Sequence, residues 1–203
     1  MINIVGFLGF EHQAITHLTG TTSMLSDAIS LGHWSVFAKL LAVVGAFLAG
    51  AAASGFLIQD STLKLGRRYG AALALESLLL SCSVPLLIRE NHWGVCLASA
   101  ACGLQNAMAT TYSGSTVRTT HLSGMFTDLG IFVGHLLRRM PVDWRRLKLC
   151  LVIISGFFCG GIGGAAAFRA LDYAALLIPA AFTGAGAIGY SFYRLRMRMR
   201  SVS

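Results

Sequence analysis

Two pentapeptides carry the residue types best able to do chemistry in this chain: Thr16-His17-Leu18-Thr19-Gly20 and Thr120-His121-Leu122-Ser123-Gly124. Each joins an imidazole, which can exchange a proton near neutral pH, to a hydroxyl residue suited to cap a helix and a glycine that admits close approach. An amide stands ahead of each, Asn3 and Asn106, at spacings that agree to within one residue. An amide offers a donor and an acceptor, so these two serve equally well to bind a solute or to bridge an interrupted backbone. The histidines have the same two options, ligand or proton handling on one side and tying down irregular chain on the other. Two carboxylates complete the set. Asp128 follows Gly124 by one helical turn and has no acidic counterpart, Met24 taking the matching place. It is either a proton-carrying acid or a packing residue bonded to a neighbour. Glu76 stands alone in an apolar run; pairing with Arg67 or Arg68 is the favoured reading and proton shuttling the other.

Nothing else resembles a catalytic or cofactor centre. There is no metal-ligand spacing, no GxSxG elbow and no phosphate loop, and a triad drawn from His17, Asp128 and Ser123 has no support in its spacing. Cys82, Cys96, Cys102, Cys150 and Cys159 all lie in apolar stretches without a CxxC pair, as expected of small packing residues. No enzyme activity, metal or cofactor is expected.

Composition says what must position these residues. Hydrophobic residues make up 55% of the 203 and charged residues 12%, the profile of an integral membrane protein. That length accommodates about six to eight spans of about 20 residues each. The net charge of +8 does not point to nucleic acid, because the basic residues sit in short loops and in a tail with Arg194, Arg196, Arg198 and Arg200. Such a distribution suits membrane orientation and an anionic cytoplasmic leaflet. Met1-Ile2-Asn3 has no basic leader or cleavage site, so no signal peptide is expected.

In chain order, Met1 to Phe10 is apolar but too short to span, and Glu11-His12-Gln13 interrupts it. A short helix is expected over Thr21 to Leu31, with Thr19, Thr21 or Thr22 near its start, followed by an interfacial corner at Gly32-His33-Trp34. Spans are expected at Lys39 to Ile58 and Tyr69 to Ile88. The second half offers Trp93 to Ala109, a polar break from Thr110 to Thr120 that includes Arg118, and an apolar segment from Met125 to Leu137. Spans at Leu149 to Phe168 and Ala174 to Tyr193 follow the basic loop Arg138 to Lys148. The glycines at 45, 50 and 55 and from 156 to 164 are expected at close helix contacts. Pro85 and Pro179 are expected to kink their helices.

The two halves align beyond the pentapeptide. Gly32-His33 is matched with Gly134-His135, and Gly45 to Gly50 with Gly156 to Gly161, giving an internal repeat of about a hundred residues. Positive charge then sets its handedness. The basic loops fall on one side only if each pair of pieces around a histidine motif makes a single net crossing, as a broken or re-entrant helix. The expected fold is therefore all-α, a polytopic membrane helix bundle forming one membrane domain over residues 1–203. It comprises two inverted repeats of about three crossings each, 1–91 and 92–203, with both termini cytoplasmic. Repeat-related breaks would meet near the bilayer midplane with helix N-termini facing a polar pocket, an arrangement that favours anionic ligands.

The run Gly103-Leu104-Gln105-Asn106-Ala107, with Thr116-Val117-Arg118-Thr119-Thr120-His121-Leu122-Ser123-Gly124-Met125-Phe126-Thr127-Asp128-Leu129-Gly130, resembles the signature of the YoaK-like family. His17-Leu18-Thr19-Gly20 resembles that family's first, His-Met-Thr-Gly-type segment. The resemblance covers nearly the whole chain. It implies a multi-pass protein of the bacterial inner membrane with a domain of unknown function, and names no substrate. Family members carry more apolar sequence ahead of the first Asn, so the first repeat is expected to be N-terminally truncated here. The leading functional expectation is a small transporter or channel for a small polar or anionic metabolite, with proton coupling as an option. His17, Thr19, Gly20, His121, Ser123, Gly124, Asn3 and Asn106 would bind the solute, and Asp128 and Glu76 would couple protons. The alternative is a non-transporting assembly partner or sensor. Expected partners are the lipid bilayer and a small-molecule solute, with a homodimer as one way to bury glycine faces.

Overall fold

The computed structural model describes residues 1–9, 15–58, 68–112 and 120–200, and all regular structure among them is helical. The helices are α1 (Ile2–Gly9), α2 (Leu18–Ser30), α3 (Trp34–Leu57), α4 (Tyr69–Ile88), α5 (His92–Tyr112), α6 (Leu122–Leu137), α7 (Trp144–Leu171) and α8 (Leu177–Arg200). A 3-10 turn at Asp172–Leu176 separates the last two. Among the described residues, three helical stretches are long and apolar enough to cross a membrane: Trp34–Leu57, Tyr69–Ile88, and the continuous Trp144–Leu195 that contains α7 and most of α8. At 28 residues, α7 alone is about 42 Å long, more than a hydrocarbon core of about 30 Å.

Helix ends follow from local chemistry. Asp143 caps α7 by accepting from the backbone N–H groups of Arg145 at 3.0 Å and Arg146 at 3.1 Å. At their C-termini α2 and α6 close alike. Leu31, Gly32 and His33 donate backward to Asp27, Ile29 and Ala28, while Arg138, Arg139 and Met140 donate to Gly134, Leu136 and His135. The residue with positive φ is Gly32 (70°) in one and Arg139 (55°) in the other. The sequence match of Gly32-His33 with Gly134-His135 is therefore out of structural register. Helix α6 has 16 residues against 13 in α2, so Gly134 still lies inside its helix. Pro179 sits in the first turn of α8, where its missing N–H costs nothing, whereas Pro85 is interior to α4.

Helix directions follow from the contacts. Helices α3 and α5 run parallel, with Ser99 Oγ donating to the Val43 carbonyl at 2.9 Å and Gly103 against Phe47. Helix α4 is antiparallel to α5, to which the Arg89–Asn91 turn joins it, and Tyr69 Oη donates to the Met108 carbonyl at 3.0 Å. It is also antiparallel to α8, with Ser77 Oγ donating to Ala180 at 2.8 Å and Gly70 beside Tyr190. Helix α1 runs parallel to α7: Ile4 meets Gly164, and Tyr173 Oη hydrogen-bonds the Gly9 carbonyl. Helices α2 and α6 lie on α3 and α7 respectively. A core of Val5, Val43, Leu80, Val84, Val95 and Leu176 forms where α1, α3, α4, α5 and the 3-10 turn meet.

These directions put the described basic segments at one end of the bundle. The start of α4, next to Arg68, packs on the C-terminal half of α8, which continues into the arginine-rich tail. The far end of α4 packs on the 3-10 turn, so α7 starts at the end opposite that turn, beside the Arg138 to Lys148 segment. Lys64 and Arg67, which with Arg68 make the polar segment from Gln59 to Arg68 basic, lie outside the described residues.

The glycine-rich faces divide into two classes. A Cβ on Gly50 would run into the Ala100 carbonyl, one on Gly103 into the Phe47 carbonyl, and one on Gly164 into Ile4. Gly45, Gly55, Gly156, Gly161 and Gly163, expected at contacts, instead face open space. Gly50→Ala and Gly103→Ala should each destabilise the protein by about 1–3 kcal/mol through overpacking against backbone. Gly45→Ala and Gly55→Ala should be neutral or stabilise by up to about 1 kcal/mol. Thermal unfolding in detergent micelles gives the ranking, and equal losses in both pairs would contradict the close α3–α5 crossing.

Candidate functional site

At the first break, α1 ends at Gly9 and the described chain resumes at Ile15. The Asn3 side chain spans the gap, its Oδ1 accepting from Thr16 N at 3.0 Å and Thr16 Oγ1 at 2.9 Å. At the second, Asn106 Oδ1 accepts from Thr120 Oγ1 at 3.0 Å, and its Nδ2 donates to the Cys102 carbonyl at 3.1 Å. Both amides thus bridge broken backbone.

The helices after the breaks start with nearly the same geometry. His17 has φ −87° and ψ 64° and His121 has φ −89° and ψ 62°. They, rather than Thr19 and Ser123, are the N-cap residues, and their side chains cap nothing. The first intrahelical bonds run from Thr21 and Met125 back to these histidine carbonyls. The N–H groups of Leu18, Thr19 and Gly20, and of Leu122, Ser123 and Gly124, precede those bonds and hold the positive end of each helix dipole.

Each imidazole folds back over the glycine of its own motif. A Cβ on Gly20 would lie 2.5 Å from His17 Nδ1, and one on Gly124 2.5 Å from His121 Cδ2. The close approach expected of a ligand or partner backbone at these glycines is thus made by the motif's own histidine. The spacing explains it, because N-cap and N3 residues occupy one side of the first turn.

Both motifs open into one cavity of about 740 Å³. Asn3, Thr16, His17 and Thr19 line it from the first break, and Asn106, Thr120, His121 and Ser123 from the second. Phe47 and Ala51 of α3 and Phe157 of α7 form its apolar walls. These three lie near the middle of helices long and apolar enough to cross a membrane. Gly20 and Gly124 lie behind the rings and do not line it. The Phe47 and Phe157 walls could not be read from the sequence, since nothing distinguishes them from other apolar residues in those helices. Thr16 and Thr120, which hold the asparagines, were legible as members of the repeated word.

The sequence pattern of a family described as a protein of unknown function (DUF1275) matches residues 1–189. The chain belongs to the DUF1275 family. Neither the curated proteins nor the solved structures contain a match. With apolar helices long enough to span a bilayer, this DUF1275 chain is a helical membrane protein.

The two candidate proton-coupling carboxylates lie away from the cavity. Asp128 accepts from Arg146 Nη2 at 3.0 Å, an ion pair joining α6 to α7. Glu76 is fully buried in α4, and neither carboxylate oxygen has a hydrogen-bond partner among the described residues. The favoured pairing with Arg68 is therefore not made, and Arg67 lies outside the described residues, as do Glu11, His12, Gln13 and Arg118. Helix α4 turns Glu76 toward its neighbours in the bundle and not toward its basic end. No group of three potential metal ligands occurs among the described residues of this DUF1275 protein.

Gly20→Ala and Gly124→Ala displace a side-chain ring and not backbone, so the fold should persist while the imidazoles leave the helix N-termini. Histidine modification by diethyl pyrocarbonate should accelerate several-fold at His17 in the first variant and at His121 in the second, with unfolding temperatures near wild type. Unchanged reactivity would contradict the stacked geometry.

Proposed function

We propose that this protein is a small membrane transporter, or a channel of the same architecture, for a small polar or anionic metabolite held between the two histidine motifs. The observation that carries the reading is that residues of both motifs line one shared cavity. Irregular backbone at membrane depth is tolerated only where protein or a water-filled space satisfies it. Two uncapped helix N-termini at such a space favour negative or strongly polar groups, and the cavity volume is within the range of small-molecule sites. His17, His121, Thr19 and Ser123 supply side-chain hydrogen bonds, while Asn3 and Asn106 present their edges to the solute from fixed positions.

The helix directions support a pair of inverted repeats. Helix α1 lies parallel to α7 as α5 lies parallel to α3, and α4 crosses α8 antiparallel, the pattern expected if a two-fold axis in the membrane plane exchanges the halves. One-sided basic segments support cytoplasmic termini in a bacterial inner membrane. We assign the protein no catalytic role. A non-transporting role as an assembly partner draws support from one fact: each asparagine already spends its Oδ1 on a threonine, so part of the polarity at the breaks is structural.

Flux separates the readings. Proteoliposomes should take up at least one of radiolabelled acetate, lactate, succinate or phosphate. His17→Ala and His121→Ala should each lower that flux by about tenfold or more, as expected for losing a hydrogen bond of about 1.5–3 kcal/mol to a charged group. Folded protein giving no flux, or flux indifferent to both substitutions, would sink the transport reading.

A further inference from the structure

Glu76 has no place in the solute site, and its surroundings make it the most unusual polar group in the described chain. It is fully buried on a helix long and apolar enough to span a membrane, and both oxygens lack a partner among the described residues. The ion pair among the described residues is made elsewhere, by Asp128 and Arg146. A buried carboxylate with nothing to compensate it is costly, so such a residue is retained at membrane depth for a task.

Its neighbours connect it to the cavity. The antiparallel α4–α5 pair puts Glu76 level with Cys102, whose thiol lies within its electrostatic reach. The carbonyl of Cys102 accepts from Asn106 Nδ2 at 3.1 Å, and Asn106 also holds Thr120 and lines the cavity. A change at the α4–α5 seam is thus one residue removed from the second break. The α-amino group of Met1 also lies within electrostatic reach of Cys102, on the α1 side of the seam. Among the other described ionisable groups, α4 itself carries Tyr69 and Cys82, α5 adds Cys96, α8 offers Tyr190 and no acid before its basic tail, α3 has an exposed Lys39 near its start, and the 3-10 turn has Asp172 and Tyr173 at the far end of α4.

We propose that Glu76 is the proton-carrying residue that couples a proton to solute movement, resting on the transport reading above. At rest the side chain is the neutral acid. When the seam opens to one side, the carboxyl O–H bond breaks, the proton passes to water, and the carboxylate remains. Water on the other side returns a proton and restores the acid. Asp128, committed to Arg146, has no part in this.

The test uses the full chain in proteoliposomes with the labelled anion that shows His17-dependent flux. Uptake driven by a pH gradient is compared with exchange at equal pH, and infrared spectra are recorded on the same samples. Wild type should show gradient-driven accumulation and a protonated-carboxyl C=O band at neutral pH. Glu76→Gln should lower the ratio of driven uptake to exchange by about tenfold or more and remove the band, while Asp128→Asn leaves both. If Glu76→Gln does not fold, the wild-type band decides: its presence at a pH where exposed carboxylates are ionised supports the assignment, and its absence overturns it. Flux with an unchanged ratio in Glu76→Gln overturns the coupling and leaves the transport reading intact. Absence of His17-dependent flux for every anion overturns the transport reading, and this inference with it.

Discussion

The structure depends on holding the chain across the two polar breaks that follow α1 and α5. An unpaired amide or carbonyl in hydrocarbon costs several kcal/mol, so a chain that breaks there must replace the lost ladder bonds with something rigid. The same answer occurs twice. An asparagine on the helix before the break accepts a hydrogen bond from the threonine just before the next helix, which fixes where that helix starts. The histidine at its N-cap and the glycine at N3 then follow as a unit, because the ring can lie over the first turn only where no Cβ blocks it. The exposed N-terminal amides and the cavity between the breaks are consequences of that anchoring.

Around this centre the packing is uneven. The α3–α5 crossing brings backbone onto backbone at Gly50 and Gly103, whereas at the α4–α8 crossing Gly70 and Gly184 meet the side chains of Tyr190 and Ser77. Close crossings of small residues draw on dispersion and on short contacts between polar backbone groups, the forces available when lipid tails compete for apolar surface. Helices α2 and α6, by contrast, each lie mainly against one neighbour, α3 and α7. The cavity is therefore lined by α3 and α5, which make the closest crossing, by Phe157 of α7, and by the starts of two lighter helices that carry the histidines.

Much of this was legible in the sequence, and the failures have physical causes. Tyr69 to Ile88 came out with its observed bounds because basic and polar residues flank a uniformly apolar run. The breaks were legible because a repeated polar word in apolar surroundings has to be accommodated somewhere. The starts of α2 and α6 were expected at Thr21 and Met125 and lie at Leu18 and Leu122, since hydroxyl residues are the usual caps and here histidines take the position without bonding through their side chains. The match of Gly32-His33 to Gly134-His135 relied on residue identity, whereas a left-handed C-terminal residue need not be glycine, as Arg139 shows. Open glycines on α3 and α7 were indistinguishable from packed ones, because composition does not reveal which face meets a neighbour. The burial of Glu76 was illegible for a related reason: a helix that is apolar all round has no polar face from which to infer orientation.

That last point bears on the proposed transport. A perfectly symmetric inverted repeat presents equivalent states to the two sides of the membrane, and any force that drives net movement must act on something the halves do not share. The histidines, the anchoring asparagines and the helix N-termini are all duplicated. Glu76 is not, since α8 offers no acid before its basic tail, and Asp128, the other candidate for proton coupling, is paired with Arg146. Under the transport reading, the duplicated residues define what is bound and the unduplicated carboxylate defines what drives it. The link between them runs through Asn106, which is bonded on one side to the residue facing Glu76 and on the other to the threonine that starts the second motif.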